Sequence, residues 1–95
     1  MVERTFRVEA RLGLHARAAA RLVRVASRFR STLRLERCDG GATADAKSIL
    51  SVLMLAASCG TELRIVAEGV DEEQAIREMA ELFAASFEET DPSVK

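Results

Sequence analysis

Gly13-Leu14-His15-Ala16-Arg17 holds the only histidine of the chain, at the point where an extended segment gives way to a long amphipathic pattern. A helix that begins there leaves its first backbone N–H groups unpaired and carries a partial positive charge, a natural cradle for phosphate or another anion. His15 stands at this mouth. Imidazole is the side chain whose charge changes near neutral pH, from an unperturbed pKa of about 6.5. The positive helix end opposes a second positive charge, which biases His15 towards its neutral, nucleophilic form. Arg17 supplies a guanidinium fork for phosphate oxygens. Gly13, free of Cβ constraints, lets the backbone turn sharply before the helix. These residue types point to a transient phosphohistidine stabilised by helix amides and Arg17. The competing assignment of a lone histidine at a helix start is a cap or a solvated surface residue.

The elements that must position this stretch are legible from periodicity. Residues 3–9 read as a strand with Val2, Phe6 and Val8 on one face and Glu3, Thr5, Arg7 and Glu9 on the other. Residues 10–14 form the loop that carries the site. From Ala16 to about Phe29 the spacing predicts a helix whose packed side is Ala19, Leu22, Val23, Ala26 and Phe29. Arg17, Arg21, Arg24 and Arg28 fall on the opposite, wetted side. This arginine stripe leads to His15 and suits an acidic docking surface, although a charged helix face is commonly just solvated. Ser31 to Arg37 alternates Leu33 and Leu35 with polar neighbours, and Asp39-Gly40-Gly41 signals a turn into a short second arm, Ala42-Thr43-Ala44.

The next predicted helix, near Lys47 to Ala56, is apolar on two sides. Val52 and Leu55 lie on one, and Ile49, Leu50 and Leu53 on the other. A helix lying on a sheet buries one side only, so Val52 and Leu55 are assigned to the core and Ile49, Leu50 and Leu53 to a partner-binding patch. Ser48 reads as a first-turn serine contributing to local capping. Gly60 precedes a last strand, Thr61 to Glu68, with Leu63, Ile65 and Ala67 inward, and Gly69 ends it. Asp71, with Gln74 three residues on, is the expected N-cap of a helix whose stripe is Ile76, Met79, Ala80, Phe83 and Phe87. Residues 1–90 are expected to form one domain and residues 91–95 a frayed tail.

Strand, helix, two strands, helix, strand, helix predicts an α+β open-faced two-layer sandwich, a four-stranded antiparallel sheet covered by three helices. The 95 residues, 48% hydrophobic and 31% charged, bound a single domain with a modest core. The opening residues lack the apolar run of a signal peptide, and no stretch approaches the roughly 20 apolar residues of a membrane span, so a cytoplasmic protein without membrane insertion is expected. Cys38 and Cys59 have no CxxC spacing, and one histidine cannot complete a cysteine–histidine zinc set. They are read as structural thiols, with no metal and no cofactor. The net charge of −1 hides arginines crowded over residues 4–37 and acidic residues over 71–91. An aromatic content of 4% and the absence of a basic balance weigh against nucleic-acid binding.

Gly13-Leu14-His15-Ala16-Arg17-Ala18-Ala19-Ala20 resembles the active-site signature of the histidine-containing phosphocarrier (HPr) family of the bacterial phosphoenolpyruvate:sugar phosphotransferase system. Lys47-Ser48-Ile49-Leu50-Ser51-Val52-Leu53 resembles that family's regulatory-serine helix, and Ala67-Glu68-Gly69 followed by Asp71-Glu72 its last strand and helix start. The likeness spans nearly the whole chain. It departs at Ala18, where the family usually has proline. Alanine, the best helix former, fits the first helical turn without steric conflict.

The resemblance implies a sheet order of 1-4-2-3 and phosphate on Nδ1 of His15, taken from the phosphohistidine of enzyme I and given to a sugar-specific enzyme II component. Such a protein is a phosphoryl carrier rather than a free-standing enzyme. The resemblance also places the Ile49, Leu50 and Leu53 helix beside the phosphohistidine and matches Ser48 to a serine that an ATP-dependent kinase modifies in some bacteria. The alternative is a paralogous or nitrogen-related HPr-like module whose phosphorylation state is read by a transcriptional regulator or another enzyme. A monomer is the default expectation.

Overall fold

The computed structural model describes residues 1–87, which include every predicted element and exclude the expected tail at residues 91–95. Period-two alternation builds the sheet. β1 (Val2–Arg7), β2 (Thr32–Arg37), β3 (Thr43–Asp45) and β4 (Glu62–Glu68) pair antiparallel in the order β1-β4-β2-β3. Central β4 sets Ile65 opposite Arg4 on one side and Leu35 on the other. Leu33, Leu35, Leu63, Ile65 and Ala67 face inward and are buried. The outer face is polar, with Arg64 reaching both Glu3 and Glu36, Arg34 on Glu36, and Arg7 on Glu62.

α1 (Ala16–Ala26), α2 (Ile49–Met54) and α3 (Glu72–Ala84) cover the inner face and complete the α+β open-faced sandwich. Ala18, Ala19, Leu22 and Ala26 of α1 are buried; Ala18 belongs to the packed side although periodicity alone did not place it there. The helix ends at Ala26, short of Phe29. Arg28 and Phe29 donate to Val25 and Ala26 carbonyls three residues back, which tightens the turn and closes the helix. The Phe29 side chain is still buried, and its carbonyl accepts from Lys47 Nζ at 2.7 Å. Where α3 packs on β1, Phe83 stacks on Phe6, with ring centroids 5.1 Å apart, and meets Phe87 edge-on.

Several boundaries shift for local reasons. β1 stops at Arg7 rather than Glu9, although Val8 N–H still donates to Thr61 and the Val8 carbonyl accepts from Gly60. The second hairpin arm runs over Thr43–Asp45 rather than residues 42–44. α2 is shorter than residues 47–56, because Ser48 caps it and Ala56, at φ 52°, leaves the helical region. Cys38 and Cys59 are free and exposed, so neither thiol packs into the core.

Asp71 stands at the cap position of α3, yet its carboxylate makes no cap bond. It instead accepts from the Ser31 hydroxyl and from the backbone N–H groups of Arg30 and Ser31, each at 2.9 Å, tying the start of α3 to the entry of β2. The Ser31 hydroxyl, with the Arg30 amide behind it, holds the Asp71 carboxyl at about 2. A carboxyl whose pKa is lowered on folding stabilises the fold above the unfolded value of about 3.9 and ceases to do so as pH falls towards 2. Asp71→Asn should therefore melt below the unmodified protein at neutral pH, and this gap should narrow between about pH 4 and pH 2. Melting curves across that range check it; a gap independent of pH would mean that the carboxylate charge plays no part.

Candidate phosphate-accepting site

The loop before α1 is shaped by close backbone approach. Gly13 adopts φ 68°, and its N–H donates to Ala10 O at 2.9 Å. A Cβ at this position would lie 2.5 Å from Ala57 O and 2.8 Å from Ser58 Cα, so the loop rests directly on the segment that leaves α2. Leu14, buried, donates its N–H to Ala57 O at 2.8 Å. The close approach of Gly13 and the Leu14 bond thus seat the two residues before the histidine on the backbone of Ala57 and Ser58.

His15 follows in an extended conformation and is the N-cap of α1. Its carbonyl accepts from Ala19 N–H at 2.8 Å, and its Nδ1 accepts from Arg17 N–H at 3.3 Å. An N–H aimed at Nδ1 requires a lone pair there, so the neutral ring carries its proton on Nε2. The nitrogen that caps the helix is thus Nδ1, set at the mouth where the first N–H groups of α1 open. The residue is half-buried rather than open. Arg17, exposed, occupies the second helical position, and the Ala18 side chain turns into the core.

The remaining predicted residues fall into groups. Arg21 is half-buried and Arg24 exposed on α1. Arg24 lies about 13 Å along the axis from His15 at 1.5 Å per residue, outside hydrogen-bond reach of the imidazole. Ser48 caps α2, its Oγ accepting from Ser51 N–H at 3.3 Å. Val52 and Leu55 are buried, while Ile49, Leu50 and Leu53 are 41%, 65% and 38% exposed, as the two-sided pattern required. Among the exposed apolar residues that sequence reasoning missed are Met54, 71% exposed and four positions after Leu50, and Leu12, 76% exposed and three before His15. The helical spacing of Met54 was a usable signal; Leu12 sits in an aperiodic loop and gave none. Among the described residues no cluster of histidine, cysteine, aspartate or glutamate could hold a metal ion, and no helix is long and apolar enough to cross a membrane.

A four-stranded 1-4-2-3 sheet roofed by three helices, with a histidine capping the first of them, defines an HPr-like sandwich. Residues 2–85 match the family described as "PTS HPr component phosphorylation site", and the chain belongs to this family of phosphotransferase-system phosphocarriers. It is 47% identical over 89 residues to the phosphocarrier protein HPr of Treponema pallidum, covering 94% of this chain and 99% of that one. The HPr-like protein Crh of Bacillus subtilis is 41% identical over 80 residues, 84% of this chain and 92% of Crh. The crystal structure of an HPr from Thermoanaerobacter tengcongensis superposes with a TM-score of 0.86 at 39% identity, covering 94% of this chain and 99% of that one.

Proposed function

We propose that the chain carries phosphate on Nδ1 of His15, accepting it from the phosphohistidine of enzyme I and passing it to sugar-specific enzyme II components. The observation that carries this reading is the Arg17 N–H aimed at Nδ1 at the mouth of α1. As the donor's N–P bond breaks, its electron pair returns to the donor imidazole and the Nδ1 lone pair forms the new N–P bond. The Arg17 amide then turns from nitrogen to a phosphate oxygen, joined by its neighbours in the first turn and by the Arg17 guanidinium. A few charge-assisted hydrogen bonds at a helix mouth hold phosphate firmly enough to carry it and loosely enough to release it. The protein is a carrier, acting as a cytoplasmic monomer without a cofactor.

Partners dock on Ile49, Leu50 and Leu53, with Arg21 and Arg24 offering positive charge to an acidic surface. Leu50→Glu should weaken productive docking about tenfold or more, seen as a raised KM for enzyme I with little change in melting temperature. A large fall in melting temperature would show that Leu50 is part of the core. Phosphorylation of Ser48 by a kinase would add about two negative charges beside Ile49 and Leu50, at a helix start that tolerates them, and would change partner choice without unfolding the domain.

Incubation with enzyme I and labelled phosphoenolpyruvate, mapping of acid-labile phosphate and a chase with an enzyme II acceptor test the reading. Label on His15 that leaves with the acceptor establishes the carrier. The likeness to Crh favours one second reading, an HPr-like regulatory module read by a transcriptional regulator or another enzyme. Label that stays on His15 supports that reading.

A further inference from the structure

The segment that seats His15 is itself held from an unexpected quarter. α2 has only six residues, far below the length at which a helix is stable alone, and it ends through Ala56 in a left-handed conformation that favours glycine. Arg37, at the end of β2, meets this weak end. Its Nη1 donates to Leu55 O at 2.9 Å and to Ala56 O at 3.3 Å, placing a cation on the terminal carbonyls of the helix. The other edge of the guanidinium grips Asp39, Nε to Oδ1 at 3.1 Å and Nη2 to Oδ2 at 2.8 Å, and Asp39 is fixed in turn by Gly41 N–H at 3.0 Å. The Arg37 side chain is largely covered, 22% exposed. The next residue, Ala57, accepts from Leu14 N–H and underlies Gly13.

We infer that Arg37 is a positioning residue for the His15 site, clamping the Leu55–Ala57 backbone on which the histidine loop is seated. The inference rests on the reading of His15 as the phosphate acceptor. Arg37 does not approach the phosphate; its influence passes through Leu55 and Ala56 to Ala57, and from Ala57 to Leu14 and the imidazole. Asp39 sets the plane of the fork, so that one edge faces the carboxylate and the other the helix end. In-line transfer is steep in geometry, and a small shift of Ala57 moves the attacking nitrogen with it.

The test compares Arg37→Met, which keeps much of the stem but no donors, with Arg37→Lys, which keeps a cation able to reach a carbonyl. In Arg37→Met, phosphate acceptance from enzyme I at saturating donor should fall about tenfold and exchange of the Leu14 amide should quicken by a similar factor. The Ile65 amide in the sheet centre should keep its protection, which separates local loosening from global unfolding. Arg37→Lys should recover most of both losses, a rescue that bulk packing alone would not give. Unchanged acceptance or unchanged Leu14 exchange in Arg37→Met overturns the inference. Should that variant not fold, Asp39→Asn decides, with smaller changes in the same direction expected and none overturning it. If the unmodified protein takes no phosphate, the reading of His15 fails separately; Leu14 exchange and the His15 ring resonances then decide whether Arg37 holds the loop.

Discussion

His15→Ala is expected to lose all phosphate acceptance while giving up only about 0.5–1 kcal/mol of stability, the worth of one N-cap bond. The imidazole makes a single cap contact, from Arg17 N–H, and is only half-buried, so the fold has little else to lose. His15→Asn separates the two roles. Asparagine is a good cap but no phosphate acceptor, so it should restore the melting temperature and leave acceptance at zero. Labelling with enzyme I and phosphoenolpyruvate beside thermal melts reads both. An unfolded His15→Ala would make the residue structural, and label retained in either variant would place the acceptor elsewhere.

Gly13→Ala should cost about 2–4 kcal/mol, because the left-handed backbone and the overlap of the new Cβ with Ala57 O and Ser58 act together. Displacing that backbone also shifts Leu14, so phosphate acceptance should fall with stability. Gly40→Ala is the control for backbone strain alone: Gly40 has φ 85° but open space around its would-be Cβ, and about 1 kcal/mol is expected there. Denaturant titrations of both variants measure the difference. Equal losses would mean that the seat beneath Gly13 yields freely.

The parts of this molecule that follow from short-range periodicity were legible in the chain. Leu33 and Leu35, and Leu63, Ile65 and Ala67, alternate as a one-sided sheet must, and the two-sided apolarity of α2 correctly separated Val52 and Leu55 from Ile49, Leu50 and Leu53. Strand order did not follow from pattern; the family resemblance supplied it. What escaped depends on partners distant in sequence. Asp71 followed by Gln74 carries the pattern of a capping box, but the amides of Arg30 and Ser31, 41 and 40 residues away, take the carboxylate first. Arg37 reads as one more polar residue on a strand until β2 is set beside the end of α2. The exposure of the cysteines was not legible, because a small side chain says nothing of which loop bears it; Cys38 and Cys59 both lie on exposed turns. The position of His15 at the start of α1 was legible because its signal, one histidine before an amphipathic run, is local.

The outer face of the sheet has a consequence for encounters in solution. Arg7, Arg34 and Arg64 are matched there against Glu3, Glu36 and Glu62, so that side of the molecule presents short-range dipoles and little far field. Exposed Arg17 and Arg24 lie on α1, which covers the opposite face of the sheet. An approaching acidic body is therefore turned rather than merely attracted: its drift is towards α1 and away from α3, whose Glu72, Glu73, Glu78 and Glu81 repel it, and collisions with the back of the sheet are not prolonged. Added salt would slow association by blurring this orientation, leaving the apolar grip of a bound partner nearly intact.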